Sequence, residues 1–193
     1  MYHPPVPRLV LASASPRRLE LLSAAGFEVA VDPANVDETR MGDETPASYV
    51  LRLARLKAES VAARHPGQVV LGADTVVVVG GALLGKPRDA DDASAMLRRL
   101  SGRAHHVMTG VAVVAHGQTH AEVETTTVWV SEVSPADVAW YAASGEPLDK
   151  AGGYAIQGLA SRFIPRIEGS YSNVVGLPVA TVFRLMRRAA VFG

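Results

Sequence analysis

The hexapeptide Ser13-Ala14-Ser15-Pro16-Arg17-Arg18 puts two arginines where a helix favours acid. It follows the apolar run Arg8-Leu9-Val10-Leu11-Ala12 and reads as a strand end, a tight turn and a helix start. Ser15 suits the N-cap and Pro16 the first helical position. The first turn carries partial positive charge and free backbone N–H groups, so Arg17 and Arg18 are repelled there unless an anion lies among them. Phosphate matches both the N–H groups and the guanidinium forks, although two exposed arginines on a surface helix would look the same. The segment lacks the Gly-Lys-Ser/Thr ending of a P-loop.

Asp74 interrupts Val69-Val70-Leu71-Gly72-Ala73 and Val76-Val77-Val78-Val79. A carboxylate in so apolar a strand needs a partner, a metal or a raised pKa, unless it sits at a strand end and is held by backbone N–H groups. Thr75 beside it could orient a phosphate or a water. Lys57, Lys86 and Lys150 each read alone as ordinary surface lysines. They gain meaning by converging with Arg17 and Asp74 on one anion. Asp37 and Glu38 offer oxygens to a divalent cation, or else form a merely solvated acidic loop. Adjacent His105 and His106 point to opposite faces of a strand and do not chelate together. Gly-x-Ser-x-Gly and Gly-x-Gly-x-x-Gly are both absent, which weakens serine hydrolase and dehydrogenase readings.

The elements that must position these residues alternate between strand and helix, the pattern of an α/β fold. Strands are predicted over about 8–12, 27–31, 69–79, 105–115 and 120–131, with a Gly80-Gly81 hairpin leading into 82–84 and a junction at His116-Gly117-Gln118. Helices are predicted over about 16–25, from Pro46 to about 64, over 90–100, from Ser134-Pro135 to about 144, and from Pro178 to about 188. Asp137 stands where a capping box places its acid. Arg184, Arg187 and Arg188 suit the negative end of the last helix as solvated charge. The stretch 146–176, rich in Gly, Ser and Pro, reads as a functional loop region.

Nineteen Lys+Arg balance nineteen Asp+Glu in 193 residues, so a general nucleic-acid coat or membrane-surface protein is disfavoured. With no cysteine, disulfides, thiolate metal sites and Cys nucleophiles are excluded. The Pro-rich segment ahead of Arg8 lacks the layout of a signal peptide, and the apolar region 69–85 is too interrupted to span a bilayer. The expectation is a soluble, cytoplasmic protein.

Several of these segments together resemble the Maf-like nucleoside triphosphate pyrophosphatases: Leu11 to Arg18, Val36-Asp37-Glu38, Gly72 to Val77, Leu84-Gly85-Lys86-Pro87, Asp149 to Gly152, Ile156-Gln157-Gly158 and Gly169 to Pro178. The likeness runs from about Leu9 to Arg187. It implies a single α/β domain over 1–193, with a central mixed twisted sheet flanked by helices and a cleft between two closely packed lobes, similar to the inosine triphosphate pyrophosphatases. It implies hydrolysis of a nucleoside triphosphate between the α- and β-phosphates with Mg²⁺ or Mn²⁺. The Gln157-Gly158 pair resembles the branch acting on dTTP and UTP, whereas the 7-methyl-GTP branch typically has Glu-Gly there. Gly153-Tyr154-Ala155 departs from the usual Ala-Tyr-Gly order.

Carried over from that family, Asp74 is the proton acceptor, while Arg17, Thr75 and Gln157 match positions linked to substrate selection. Ser13, Arg18, Glu38, Lys57, Lys86 and Lys150 match the polar lining of the site. Glu38 and Asp74 are the expected metal carboxylates, and Glu38 rivals Asp74 as base. The expected partner is a nucleoside triphosphate, with no nucleic acid or membrane and a homodimer as the assembly to test. A modified-nucleotide pyrophosphatase and a non-catalytic regulator of cell division are the alternatives.

Overall fold

A computed structural model of the chain describes residues 8–192. The Pro-rich N-terminal segment discussed above lies outside the described residues. In chain order the main elements are β1 (Arg8–Leu11), α1 (Pro16–Ala24), β2 (Glu28–Val31), α2 (Pro46–Ala62), β3 (Val69–Val79) and β4 (Ala82–Leu84). They continue with α3 (Ala90–Leu100), β5 (Ala104–Ala115), β6 (Gln118–Trp129), α4 (Pro135–Ala143), β7 (Arg166–Glu168), α5 (Tyr171–Val175) and α6 (Val179–Arg188). The strands form one mixed seven-stranded sheet in the order β2-β1-β3-β5-β6-β7, with β4 also paired to β3. β1 runs parallel to β2 and β3, whereas β4 on β3 and β7 on β6 are antiparallel.

The chain divides into two compact units. The first contains the described residues up to Asp74, with Thr109–Glu124 and the segment from Gly176 onward. Leu9, Leu11, Leu71, Val111 and Val113 from the strands pack there with Leu22 of α1 and Val182, Leu185 and Met186 of α6. In α2, Val50, Leu53, Ala54 and Val61 are buried, as the 3.6-residue period predicts. Thr45 caps that helix through the Ser48 N–H at 3.1 Å.

α2 lies unusually close to the sheet. A Cβ built on Gly72 of β3 would fall 2.6 Å from the Ala58 nitrogen, and one on Gly110 of β5 would fall 2.8 Å from the Leu51 nitrogen. Neither glycine has a left-handed φ, so it is space that demands them. With only hydrogens on these strand positions, helix backbone rests on strand backbone.

The second unit comprises Thr75–Met108 and Thr125–Val175. Its core joins Val77, Leu84, Met96, Leu97 and Val128 to the rings of Tyr141, Tyr154 and Phe163. Buried His105 meets the Tyr154 hydroxyl at 2.7 Å, and burial holds its pKa down at about 4, so the ring sits neutral in the core.

Three details differ from the sequence reading. Ser15 occupies the N-cap of α1 but makes no side-chain cap bond. Instead Ser13 Oγ accepts the Ser15 N–H at 3.2 Å, one residue pair earlier. β6 begins at Gln118 rather than near 120, because His116 and Gly117, with φ of 51° and 75°, complete the turn in two residues. The stretch 146–176 is not bare loop: it contains three 3-10 turns, β7 and α5, elements too short to leave a periodic signal.

Gly72→Ala and Gly110→Ala should each destabilise the protein by about 1–3 kcal/mol or more in urea unfolding, through overpacking against immobile backbone. Gly85→Ala, with nothing within 4 Å of its Cβ position, should be neutral.

Candidate active site

The carboxyl end of β1 delivers Ser13 and Arg18. The strand's pairing with β3 runs to Leu11 opposite Leu71, and the Ala12 N–H donates to the Leu71 carbonyl at 2.8 Å. From there the chain turns into α1, whose first turn holds both arginines. Arg18 is buried: its Nε donates to the Gly176 carbonyl at 2.9 Å, and Nη1 donates to the Ala73 carbonyl at 2.8 Å and to Ser13 Oγ at 3.1 Å. Burial pulls the guanidinium below its ordinary pKa; the Asp74 charge opposes this and that of Arg17 adds to it. The two arginines thus differ in kind. Arg18 is built into the wall of the first unit, whereas Arg17 is only half-buried beside it.

Asp74 lies within β3, three residues beyond the last β1 pairing, on the same face as Gly72. That position is the carboxyl-terminal side of the parallel pair, where α/β sheets hold ligands. The ammonium of Lys57, itself buried, sits 2.7 Å from Asp74 Oδ1 and 2.7 Å from Glu38 Oε1. Lys57 stands between Ala54 and Ala58, the residues that press on Gly72. The helix contact therefore places the ammonium against the carboxylate. Burial still raises the Asp74 pKa, with Lys57 and Arg18 pulling it back and Glu38 adding to the rise. The opposing effects leave a partly desolvated carboxylate with enhanced basicity.

Glu38 belongs to a loop tied down by residues that sequence reasoning missed. The Tyr49 hydroxyl donates to the Glu38 carbonyl at 2.9 Å. Arg52 donates to the Thr39 carbonyl at 3.1 Å and forks onto both carboxylate oxygens of Glu44 at 2.5 and 2.9 Å. That fork holds the Glu44 pKa down at about 2. Tyr49 and Arg52 are neighbours one turn apart on α2, whereas Lys57 lies within the buried stripe of Val50, Leu53, Ala54 and Val61.

The remaining predicted residues belong to the second unit. Thr75 is half-buried, Lys86 and Gln157 are exposed, and Lys150 is half-buried with its Nζ donating to the Glu146 carbonyl at 2.6 Å. Thus Ser13, Arg18, Glu38, Lys57 and Asp74 are gathered by direct contacts in one unit. Thr75, Lys86, Lys150 and Gln157 stand in the other.

The donor set fits a divalent cation shared with a substrate. Two carboxylates converge on one cationic point, and Mg²⁺ typically takes one or two carboxylates together with phosphate and water oxygens. Among the described residues no group of three or more His, Asp or Glu could hold a metal unaided.

Removing the ammonium tests this electrostatic balance. Asp74 holds its proton more tightly folded than unfolded, so its stabilising contribution falls as pH rises through its raised pKa. Lys57→Met removes an opposing charge and extends that fall. The variant should lose about 3 kcal/mol or more near neutral pH and less at mildly acidic pH in urea melts. Adding Asp74→Asn should recover most of the neutral-pH loss.

The family model described as "Maf-like protein" matches residues 8–189. A curated relative from Koribacter versatilis, named dTTP/UTP pyrophosphatase, is 52% identical over 183 residues, covering 95% of each chain. Another of that name, from Anaeromyxobacter dehalogenans, is 54% identical over 187 residues, covering 95% of this chain and 94% of its own. A more distant likeness is to "The structure of the Staphylococcus aureus Ham1 protein", with a TM-score of 0.46 and 16% identity over 64% of this chain and 71% of the other. No helix among the described residues is long and apolar enough to cross a membrane. The family match takes in every element from β1 to α6, and this chain belongs to the Maf-like family.

Proposed function

We infer that the protein hydrolyses dTTP and UTP between the α- and β-phosphates, releasing the nucleoside monophosphate and pyrophosphate. Relatives about half identical along nearly the whole chain carry that activity in their names. The observation that gives the reading a chemistry is the buried Asp74 carboxylate, raised in pKa and held 2.7 Å from Lys57. A carboxylate of raised pKa is a better proton acceptor for an attacking water than an ordinary aspartate.

In this reading Asp74 accepts the proton of the water as its oxygen bonds to phosphorus. The bridging oxygen departs with pyrophosphate. Arg17, Lys86 and Lys150 gather the charge that accumulates on the leaving group. Arg18 and Ser13 hold the turn after β1 in register with the substrate. Lys57 keeps Asp74 and Glu38 apart in charge and together in space. A Mg²⁺ or Mn²⁺ held by Glu38 and Asp74 would supply Lewis-acid neutralisation of the phosphates. Gln157, whose amide both donates and accepts, reads the pyrimidine edge, and Arg17 and Thr75 contribute to that selection.

The test is pyrophosphate release from dTTP, UTP, dCTP, GTP and 7-methyl-GTP with Mg²⁺ or Mn²⁺. Turnover should favour dTTP and UTP, and Asp74→Asn should lower kcat by about a hundredfold or more while the fold persists. Preference for 7-methyl-GTP would move the chain to another substrate class, and binding without turnover would make it a regulator. The acid limb of kcat should report Asp74: activity falls as pH drops through its raised pKa. Glu38→Gln removes a negative neighbour and should shift that limb to lower pH, whereas Lys57→Met should shift it to higher pH. A limb unmoved by both variants would remove Asp74 as the base. Gln157→Glu should change the ratio of dTTP to GTP turnover.

A further inference from the structure

Glu146 is a charged residue that none of the preceding chemistry uses, yet it has an unusually complete set of partners. It follows Gly145 and opens the first 3-10 turn, Glu146–Asp149. Its side chain folds back across the start of a later 3-10 turn, Leu159–Phe163. Oε2 accepts the Leu159 N–H at 2.9 Å, and Oε1 accepts the Ala160 N–H at 3.4 Å and the Tyr141 hydroxyl at 2.9 Å. Gly158, the residue between those amides and Gln157, is part of the same arrangement. A Cβ there would fall 2.6 Å from the Glu146 Cδ and Oε1 atoms. The φ of Gly158 is −108°, open to any residue. Its lack of a side chain serves the carboxylate, not the backbone.

The main chain of Glu146 does a second task. Its carbonyl accepts the Lys150 ammonium at 2.6 Å. One residue therefore holds Lys150 through its backbone and the Gln157-Gly158 segment through its side chain. The carboxylate bonds the Leu159 and Ala160 amides that start the turn after Gln157-Gly158, and it packs against Gly158, the residue next to Gln157. The anchor beneath it is firm: Tyr141 is buried among the rings of the second unit, and burial together with the Glu146 contact raises its pKa.

We propose that Glu146 is the positioning residue for substrate selection, its carboxylate fixing Gln157 for the base while its carbonyl independently fixes Lys150 for the phosphates. The proposal rests on the roles given above to Gln157 and Lys150. It separates two functions in one residue, because only the side chain is reached by substitution. Side-chain variants should disturb base discrimination and spare the phosphate end.

The experiment measures kcat/KM for dTTP and GTP, together with inhibition by inorganic triphosphate, which probes the phosphate end alone. Glu146→Met fills the same space without an acceptor, and Glu146→Ala removes the group. Both should lower the dTTP-to-GTP ratio by about tenfold or more, the scale of a misplaced substrate contact, with triphosphate inhibition unchanged. Glu146→Gln should restore most of the ratio, since its amide oxygen can face the Leu159 N–H and its NH₂ the Tyr141 oxygen. Lys150→Met should show the converse, with weakened triphosphate inhibition and the ratio kept. Gly158→Ala should reproduce the Glu146→Ala loss in the wild-type background and add little to it in the Glu146→Ala background. If Glu146→Ala does not fold, Glu146→Met and Gly158→Ala carry the test. A selective wild type whose ratio survives Glu146→Met, while Gln157→Glu changes it, overturns the positioning role alone. A wild type that releases no pyrophosphate from dTTP overturns the underlying functional reading instead.

Discussion

The seat of α2 on two glycines is the contact from which the candidate site follows. Gly72 on β3 and Gly110 on β5 let the backbone of the helix approach the backbone of the sheet. At that distance Ala54 and Ala58 fill the contact, and Lys57 between them projects beside Asp74, two residues along the strand from Gly72. A helix held off by even one methyl group would carry the ammonium away from a carboxylate that water cannot fully reach. The apolar core of the first unit fixes both surfaces. Packing energy is thereby converted into the position of a charge.

That charge arrangement is costly in isolation. Asp74 is largely desolvated and Arg18 is buried with its pKa lowered, so both ions stand outside their preferred medium. Each is offset by particular partners: carbonyls and Ser13 for the guanidinium, and the Lys57 ammonium for the carboxylate. Glu38 joins the same ammonium from a loop held by Tyr49 and Arg52. Such a cluster contributes little net stability compared with an apolar core, but it keeps a carboxylate of raised pKa and the cations of Lys57 and Arg18 preorganised, as the proposed reaction requires. Catalysis of phosphoryl transfer rests mainly on that preorganisation.

The second unit solves a different problem. Its core is aromatic, with Tyr141, Tyr154 and Phe163 packed among aliphatic side chains, and it encloses a neutral histidine. Around that core the chain between α4 and α6 winds through short 3-10 turns whose amides are met by side chains. Glu146 is the clearest case: its carbonyl accepts the Lys150 ammonium, and its carboxylate accepts the Leu159 N–H at the start of a later turn. Asn173 acts similarly, donating to the Val107 carbonyl and to Thr126 Oγ1 at 3.0 Å each. Irregular backbone of this kind is rigid only when such partners are supplied.

Period and local chemistry made much of this visible in advance. The eleven-residue span of β3, the buried face of α2 and the strand–turn–helix of Ser13 to Arg18 follow from hydrophobic spacing, Pro16 and Gly placement, because those signals act between near neighbours. Asp74 stood out because a carboxylate among valines violates the local rule. What distinguishes Arg18 from Arg17, joins Lys57 to both Glu38 and Asp74, and lays Glu146 against Gly158 was set only in three dimensions. The bonds of Arg18 to Gly176, Lys57 to Asp74 and Glu146 to Leu159 join residues 158, 17 and 13 positions apart, and no periodicity links such distances. A lysine in the sequence is a charge on a flexible stem; the glycines beneath α2 decide which carboxylate it meets.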